Sequence, residues 1–324
     1  VYKRQVMPVE YWMGEYDDFD IEGVVDVARA IRPDDYVSAA EIRDWQHAQR
    51  VAGRLSVIWL ASVEHVVVGS AYVGQSTWLP TTTMVLRVQV HPDHQGRGYG
   101  RALLERAQDT AKEGGAEDLL GWAERAVPRT MHFLERAGFR EVGREWESTL
   151  DLAQCDVADF QHIVERATAQ GVRIKSAAVL STDRPGWKHD LHRLYVDVEM
   201  DVPTEYPIQR MPFEDFETLN LGRQFLADGF LVALEGDRLV GLTEPLPVDG
   251  VPDAIQQNLT GVQSESRGRG IATALKAQAA IWAIQAGYTS IRTQNAQSNA
   301  AMLAVNERLG FERDHATIEY MKSL

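Results

Sequence analysis

Cysteine is all but missing from this chain. Cys155 is the single one in 324 residues, which excludes an internal disulfide and fits a reducing, cytoplasmic setting. Basic residues are in deficit, 33 Lys and Arg against 47 Asp and Glu, for a net charge of −14. That balance opposes a general nucleic-acid binder, which needs a basic stripe. Long apolar runs are also absent. Residues 66–86 carry no Asp, Glu, Lys or Arg, but Gln75, Pro80 and Thr81–Thr83 interrupt them, so they read as sheet and not as a membrane span. No N-terminal leader is legible. Residues 1–5, VYKRQ, resemble translated adapter sequence from a shotgun library and are set aside as non-native. Cys155 lies in Gln-Cys-Asp ahead of a predicted helix and reads as a bland thiol, not a nucleophile.

What the chain does have, it has twice. Residues 91–101 read HPDHQGRGYGR and residues 263–273 read QSESRGRGIAT. Each follows a strand-like segment, opens a helix-like one, and precedes a Gly-Phe pair. Gly96 to Gly138 and Gly268 to Gly310 both span 42 residues, at an offset of 172. A fixed offset over a loop and a distant marker argues for duplication. At this length two domains of about 150 residues are expected. The boundaries read as 6–153 and 171–324, joined by a helix within 154–170; a strand pair is expected from Gly138-Phe139 to about Leu152, and a strand over Val172–Leu180. Asp156 is that helix's N-cap, and Val157, Phe160, Ile163, Val164 and Ala167 form its apolar face.

Gly-rich turns that open helices suit anions. Glycine lets the backbone approach closely, and the first helical N–H groups lack intrahelical partners. A phosphate-rich ligand is therefore expected at both loops. A Walker A loop needs Gly-Lys-Ser/Thr, which neither copy has. A dinucleotide fingerprint needs a third glycine where Arg101 and Thr273 stand. What remains resembles the coenzyme A loop of the GCN5-related N-acetyltransferases, Gln/Arg-x-x-Gly-x-Gly/Ala. Gln95, Gly98 and Gly100 match it in one half, and Arg267, Gly270 and Ala272 in the other.

The resemblance implies an α/β (α+β) protein of two tandem GNAT-like domains. Each is a mixed, mostly antiparallel sheet flanked by helices. It implies acetyl-CoA as co-substrate, no metal, and direct acyl transfer to a primary amine on a small molecule or peptide. The donor contacts it implies are Val90, Gln95, Gly96, Arg97, Gly98, Tyr99, Gly100 and Arg101 in the first half. In the second half they are Val262, Arg267, Gly268, Arg269, Gly270, Ile271, Ala272, Thr273 and Asn299. In that family the strand leading into the loop splays from its neighbour, and the acyl-pantetheine arm enters the gap. Val88–Val90 and Thr260–Val262 occupy those strand ends. Arg97, Arg101, Arg269 and Lys276 are candidates for a local cationic patch.

Where the family places an Asn eleven residues before the Gly-Phe glycine, the halves carry Val127 and Asn299. Where it often places an acid Tyr, they carry Leu134 and Asn306. Leucine cannot donate a proton, and an amide donates a hydrogen bond but no proton. Chemistry is therefore expected in the second half, with Asn299 and Asn306 as polar contributors. Glu244, just past the predicted strand 239–243, is the nearest candidate base, though a strand-end glutamate is commonly solvated. Residues 190–217 hold eight acids against two arginines, a stretch able to attract a cationic amine. Two other classes stay open: a non-catalytic acyl-CoA sensor or scaffold, and a peptidoglycan-type aminoacyltransferase.

Overall fold

The structure, a computed structural model, describes residues 9–11, 21–32, 38–124, 127–248 and 250–324. The set-aside residues 1–5 lie outside them. Contacts divide the chain into two compact units. The first holds residues 1–123, 127–142 and 319–324; the second holds 124–126 and 143–318.

The first unit runs β1 (Val9–Tyr11), α1 (Ile21–Ile31), α2 (Ala39–Val51), β2 (Ser56–Val63), β3 (Val66–Gly74), β4 (Thr83–Val90), α3 (Tyr99–Glu113), β5 (Asp118–Glu124) and α4 (Pro128–Arg136). Strands β1 to β4 pair antiparallel in chain order, and β5 joins β4 in parallel. The β2–β3 hairpin turns at Glu64 and His65, both at positive φ, the conformation a two-residue turn demands.

Next comes β6 (Arg140–Asp151), one continuous strand where the sequence reading expects a pair. Most of it pairs with β11 of the second unit, from Asp151↔Ser290 to Glu145↔Ala296, so nothing breaks it. The second unit continues α5 (Val157–Ala169), β7 (Val172–Ser176), α6 (Ala177–Asp183), α7 (Trp187–Glu199), α8 (Phe213–Leu219), β8 (Leu231–Glu235), β9 (Arg238–Pro247), β10 (Ala254–Val262), α9 (Ile271–Gln285), β11 (Ser290–Ala296), α10 (Ala300–Arg308) and β12 (Glu312–Ser323). The strand expected over 172–180 ends at Ser176. The Ser176 hydroxyl accepts from the Val179 N–H at 3.3 Å and starts a helix instead. Strand β12 begins beside β6, where Thr149 donates to Asp314 at 2.7 Å. Its last residues complete the first unit: the Leu324 N–H donates to the Glu117 carbonyl at 2.9 Å.

In the second unit the sheet sorts its side chains by face. Val232, Leu234 and Leu242 pack with Leu191, Leu194 and Tyr195 of α7. Leu231, Ala233, Val240 and Val262 pack with Ile271, Ala274 and Leu275 of α9. Alternation along β8 thus places α7 and α9 on opposite faces. The expected connecting helix α5 is capped by Asp156, which accepts from the Ala158 N–H at 2.8 Å. It packs on α9 through Phe160 and Ile163.

Candidate active site

Both loops take one conformation. Gly98 and Gly270 cap α3 and α9 at φ 98° and 77°, and Gly96 and Gly268 stand at φ 78° and 76°. These left-handed angles favour glycine. A Cβ at Gly98, Gly268 or Gly270 would meet nothing within 4 Å, so each cradle is open. No side chain caps either helix start, which leaves the first-turn N–H groups for an anion. The cradles fit a pyrophosphate. Gln95 and Arg267 brace them: the Gln95 amide donates to the Val90 carbonyl at 3.0 Å, and the Arg267 Nε to the Val262 carbonyl at 2.9 Å. Tyr99, Ile271 and Thr273 are buried, so they offer a ligand their backbone, not their side chains.

The cationic patch is largely committed elsewhere. Arg101 pairs with Glu105 at 2.7 Å, Arg97 donates to the Asp93 carbonyl at 2.9 Å, and Arg269 pairs with Glu235. Arg267 also pairs with Asp201. Lys276 corrects its assignment outright: at 2 % exposure it lies inside the second unit, where no surface phosphate reaches it. The acids of 190–217 are in good part paired as well. Asp190 meets Arg184 at 2.7 Å, Asp197 meets Arg210 at 2.6 Å, and Glu217 meets Lys188 at 2.5 Å.

Behind each loop the sheet opens. Strands β4 and β5 pair from Thr83↔Asp118 to Val85↔Leu120 and then part. Strands β10 and β11 pair from Ala254↔Ser290 to Gln257↔Thr293 and then part. The expected splay is present in both units. Only in β10 does the register shift against its other neighbour, between Gln257 and Thr260. The β3–β4 ladder runs straight from Gly74↔Val85 to Gly69↔Val90. The bulge inserts one residue at the mouth of the second gap.

Polar side chains flank that gap on both faces of the sheet. On the α7 face, Glu244 is fully buried within β9, which runs three residues past it. Its carboxylate accepts from Asn220 and Asn258 at 2.8 Å each and from the Tyr195 hydroxyl at 3.3 Å. The solvated strand end expected there is therefore corrected. Burial raises its pKa, and the three donors oppose that rise. Glu199 stands one turn beyond Tyr195 on α7. Burial first, and the charge of Glu244 second, push it up to about 7. One oxygen of Glu199 is buried without a partner. Burial, then the two carboxylates, hold Tyr195 well above its usual range, as a neutral phenol.

On the α9 face, Gln257 donates to Thr243 at 2.9 Å, and Thr243 and Thr260 share a hydrogen bond of 2.7 Å. The Asn306 amide donates to Asn295 at 2.6 Å, and its own oxygen is buried and unpartnered. Asn299 is the N-cap of α10, accepting from the Met302 N–H at 3.2 Å, with its amide N–H groups left over. Its counterpart Val127 caps nothing, and Leu134 is buried. Cys155 donates to the Asp151 carbonyl at 3.3 Å, and burial, then Asp151, raises its pKa, as befits an inert thiol.

Sequence reasoning missed Glu199 and Tyr195. The signal lay in Leu191, Leu194, Tyr195 and Val198, which mark the buried stripe of α7. A glutamate four residues after Tyr195 falls on that stripe, not on the solvated face.

Among the described residues no helix is long and apolar enough to cross a membrane. Comparison with known proteins agrees with the geometry. The model of the Acetyltransferase (GNAT) family matches twice, over residues 24–139 and 189–311. A mycothiol acetyltransferase of Kocuria rhizophila is 26% identical over 281 residues, covering 83% of this chain and 86% of its own. One from Amycolatopsis mediterranei is 25% identical over 316 residues, covering 95% and 97%. A solved tandem GNAT protein from the clavulanic acid biosynthesis pathway shares the fold, with a TM-score of 0.72, 19% identity and 98% of each chain covered. The chain belongs to the acetyltransferase (GNAT) family, as a tandem protein that transfers an acetyl group from acetyl-CoA to an amine.

Proposed function

We propose that acetyl transfer takes place in the second unit and that the acceptor is a small-molecule primary amine. The observation that carries the first part is the buried carboxylate Glu244 beside Glu199, with the open sheet of β10 and β11 next to it. Tyr72 occupies the position of Glu244 in the first unit, so no carboxylate stands there. An amine reaches the site as an ammonium and must lose a proton before it attacks. Glu199, with a free oxygen and affinity for a proton near neutral pH, takes that proton. Glu244, fixed by three donors, holds the negative charge behind it, and the two titrate as a pair. Acetyl-CoA supplies the thioester. The loop at Arg267–Ala272 holds the pyrophosphate, and the unpaired edge of β10 offers backbone groups to the arm. Asn299 and Asn306 order the thiol end from α10.

The near full-length likeness to proteins named mycothiol acetyltransferase supports a small-molecule acceptor, and it makes their substrate the first amine to try. The test is acetyl-CoA turnover across an amine library with mass detection of products, run on the wild type and on Glu244→Gln. Products that disappear in the variant support the second unit. Products formed at the wild-type rate by a folded variant remove it.

A further inference from the structure

The second unit has a base and lacks the usual acid. Asn306 stands where the family often carries a tyrosine, and an amide cannot give up a proton near neutral pH. The departing sulfur still needs one. Lys276 lies on the second turn of α9, the helix that opens at the phosphate loop, so it runs alongside any donor held there. It faces the sheet at 2 % exposure, on the face that carries Gln257, Thr293 and Asn306. Its Nζ sits 4.9 Å from the ring centre of Phe311. The Phe311 N–H in turn donates to the Asn306 carbonyl at 3.0 Å, which ties the amine to that part of α10.

Among the described residues no carboxylate pairs with this lysine. Burial alone lowers its pKa, to about 7. The buried polar side chains on the α9 side of β9, β10, β11 and α10 include Thr243, Gln257, Thr293 and Asn306, all uncharged. Asp159, His162, Glu165 and Arg166 of α5, and Glu307 and Arg308 of α10, are exposed. The Gln257 oxygen and the Asn306 oxygen are buried without partners on the same face. A buried lysine with no ion pair, on the face that also holds unpartnered acceptors, is costly structure and a marker of function. In the first unit the position of Lys276 is Leu104.

We infer that Lys276 is the acid that protonates the leaving sulfur, taking the part of the missing phenol; this rests on the second unit being the catalytic one. The acceptor's ammonium gives one proton to the Glu199–Glu244 pair, which releases it to solvent; the amine then attacks the thioester carbon, and the second proton that nitrogen sheds goes to the same pair. The C–N bond forms and the C–S bond breaks. The Lys276 ammonium gives its proton to the sulfur and recovers one from solvent. Both proton carriers then work near neutrality, where transfer is efficient.

The test uses Lys276→Met and, as a second variant, Lys276→Leu, the residue of the first unit. Turnover is expected to fall about a hundredfold. The readout besides activity is the ultraviolet absorbance of the thiolate of bound coenzyme A against pH. A neighbouring ammonium favours the thiolate, so it should appear at lower pH in the wild type than in either variant. Asn306→Tyr placed in the Lys276→Met protein should restore part of the rate. Unchanged turnover in Lys276→Met, or lost turnover with an unmoved thiolate titration, overturns the assignment. Glu244→Gln run alongside separates the two failures. If it is inactive, the second unit remains the active one with another acid; if it is active too, the second-unit reading itself is wrong.

Discussion

The two units share their phosphate loops and differ in the polar side chains beside the sheet gap. At positions 172 apart, Thr243, Thr260, Asn295 and Asn306 face Ala71, Val88, Ala123 and Leu134. Glu244 faces Tyr72, Thr293 faces Gly121, and Lys276 faces Leu104. By strand register Gln257 corresponds to Leu86, since they pair with Pro245 and Val73. On the other side, α1 buries only apolar residues where α7 buries Tyr195 and half-buries Glu199. Buried polar groups cost stability unless satisfied, and a core without them is simpler to pack. Beside the gap the first unit is apolar at positions where the second buries polar groups, and that cost supports the proposed place of the chemistry.

The largest effect expected is on Glu244. Glu244→Gln removes the charge that backs the Glu199 base and should lower kcat by about 10²–10⁴, the usual weight of general base catalysis, and Tyr72→Phe in the first unit should leave it unchanged. Equal losses from both, measured on folded protein by steady-state kinetics, would break the comparison. Next is the donor. With both cradles open, up to two coenzyme A molecules should bind per chain, the one in the second unit more tightly. Gly270→Asp puts a carboxylate where a pyrophosphate must approach and should block that binding event. Gly98→Asp should remove the other binding event and cost stability more than rate. Calorimetric titration of coenzyme A into each variant counts the sites directly.

Much of the fold was legible because its signals are local. The repeat, the loop geometry, the Asp156 cap and the helices after each loop follow from glycine, capping and apolar spacing. The α6 turn was misread because Val172–Leu180 is apolar enough for a strand, and only the Ser176 cap ends it. The continuous β6 was misread because its partner β11 lies about 140 residues on, a pairing that no local pattern encodes. The site was half legible. Asn299 and Asn306 stood out against Val127 and Leu134 by alignment of the repeats. Glu244 looked solvated because its burial comes from α7 and Asn220, and Lys276 looked like a phosphate ligand because one turn of helix phase decides whether it faces water or sheet.

A smaller effect is expected at Asn299, where two roles coincide. Its side-chain oxygen caps α10, so Asn299→Ala should cost about 1 kcal/mol of stability. If its amide also orders the arm or a water, turnover should fall by about one to two decades, roughly 1.4–2.8 kcal/mol of barrier. Asn299→Ser keeps a cap and loses the amide. Loss of rate with the melting temperature retained would assign the amide to the chemistry; retained rate would leave Asn299 a cap, as a serine would be.

The smallest effect is a slope. Glu199 titrates near 7 when folded and near 4.5 when unfolded, so between those values the native state binds the extra proton. Stability then falls as pH rises through that window. Lys276 works in the other direction. It titrates near 7 folded and near 10.5 unfolded, so from 7 upward the unfolded chain binds the extra proton and stability rises with pH. Below pH 7 both states of Lys276 are charged and the burial penalty is felt in full. Melting temperatures in a series of buffers should therefore dip near neutrality by a few degrees. Glu199→Gln should flatten the acid side of the dip, and Lys276→Met the alkaline side, with Lys276→Met more stable than the wild type at pH 7 and below. First-unit changes at the matched position, such as Leu104→Met, should leave the dip in place. A dip that survives both second-unit variants would mean that neither group titrates inside the fold, and the polar half of the comparison would lose its physical basis.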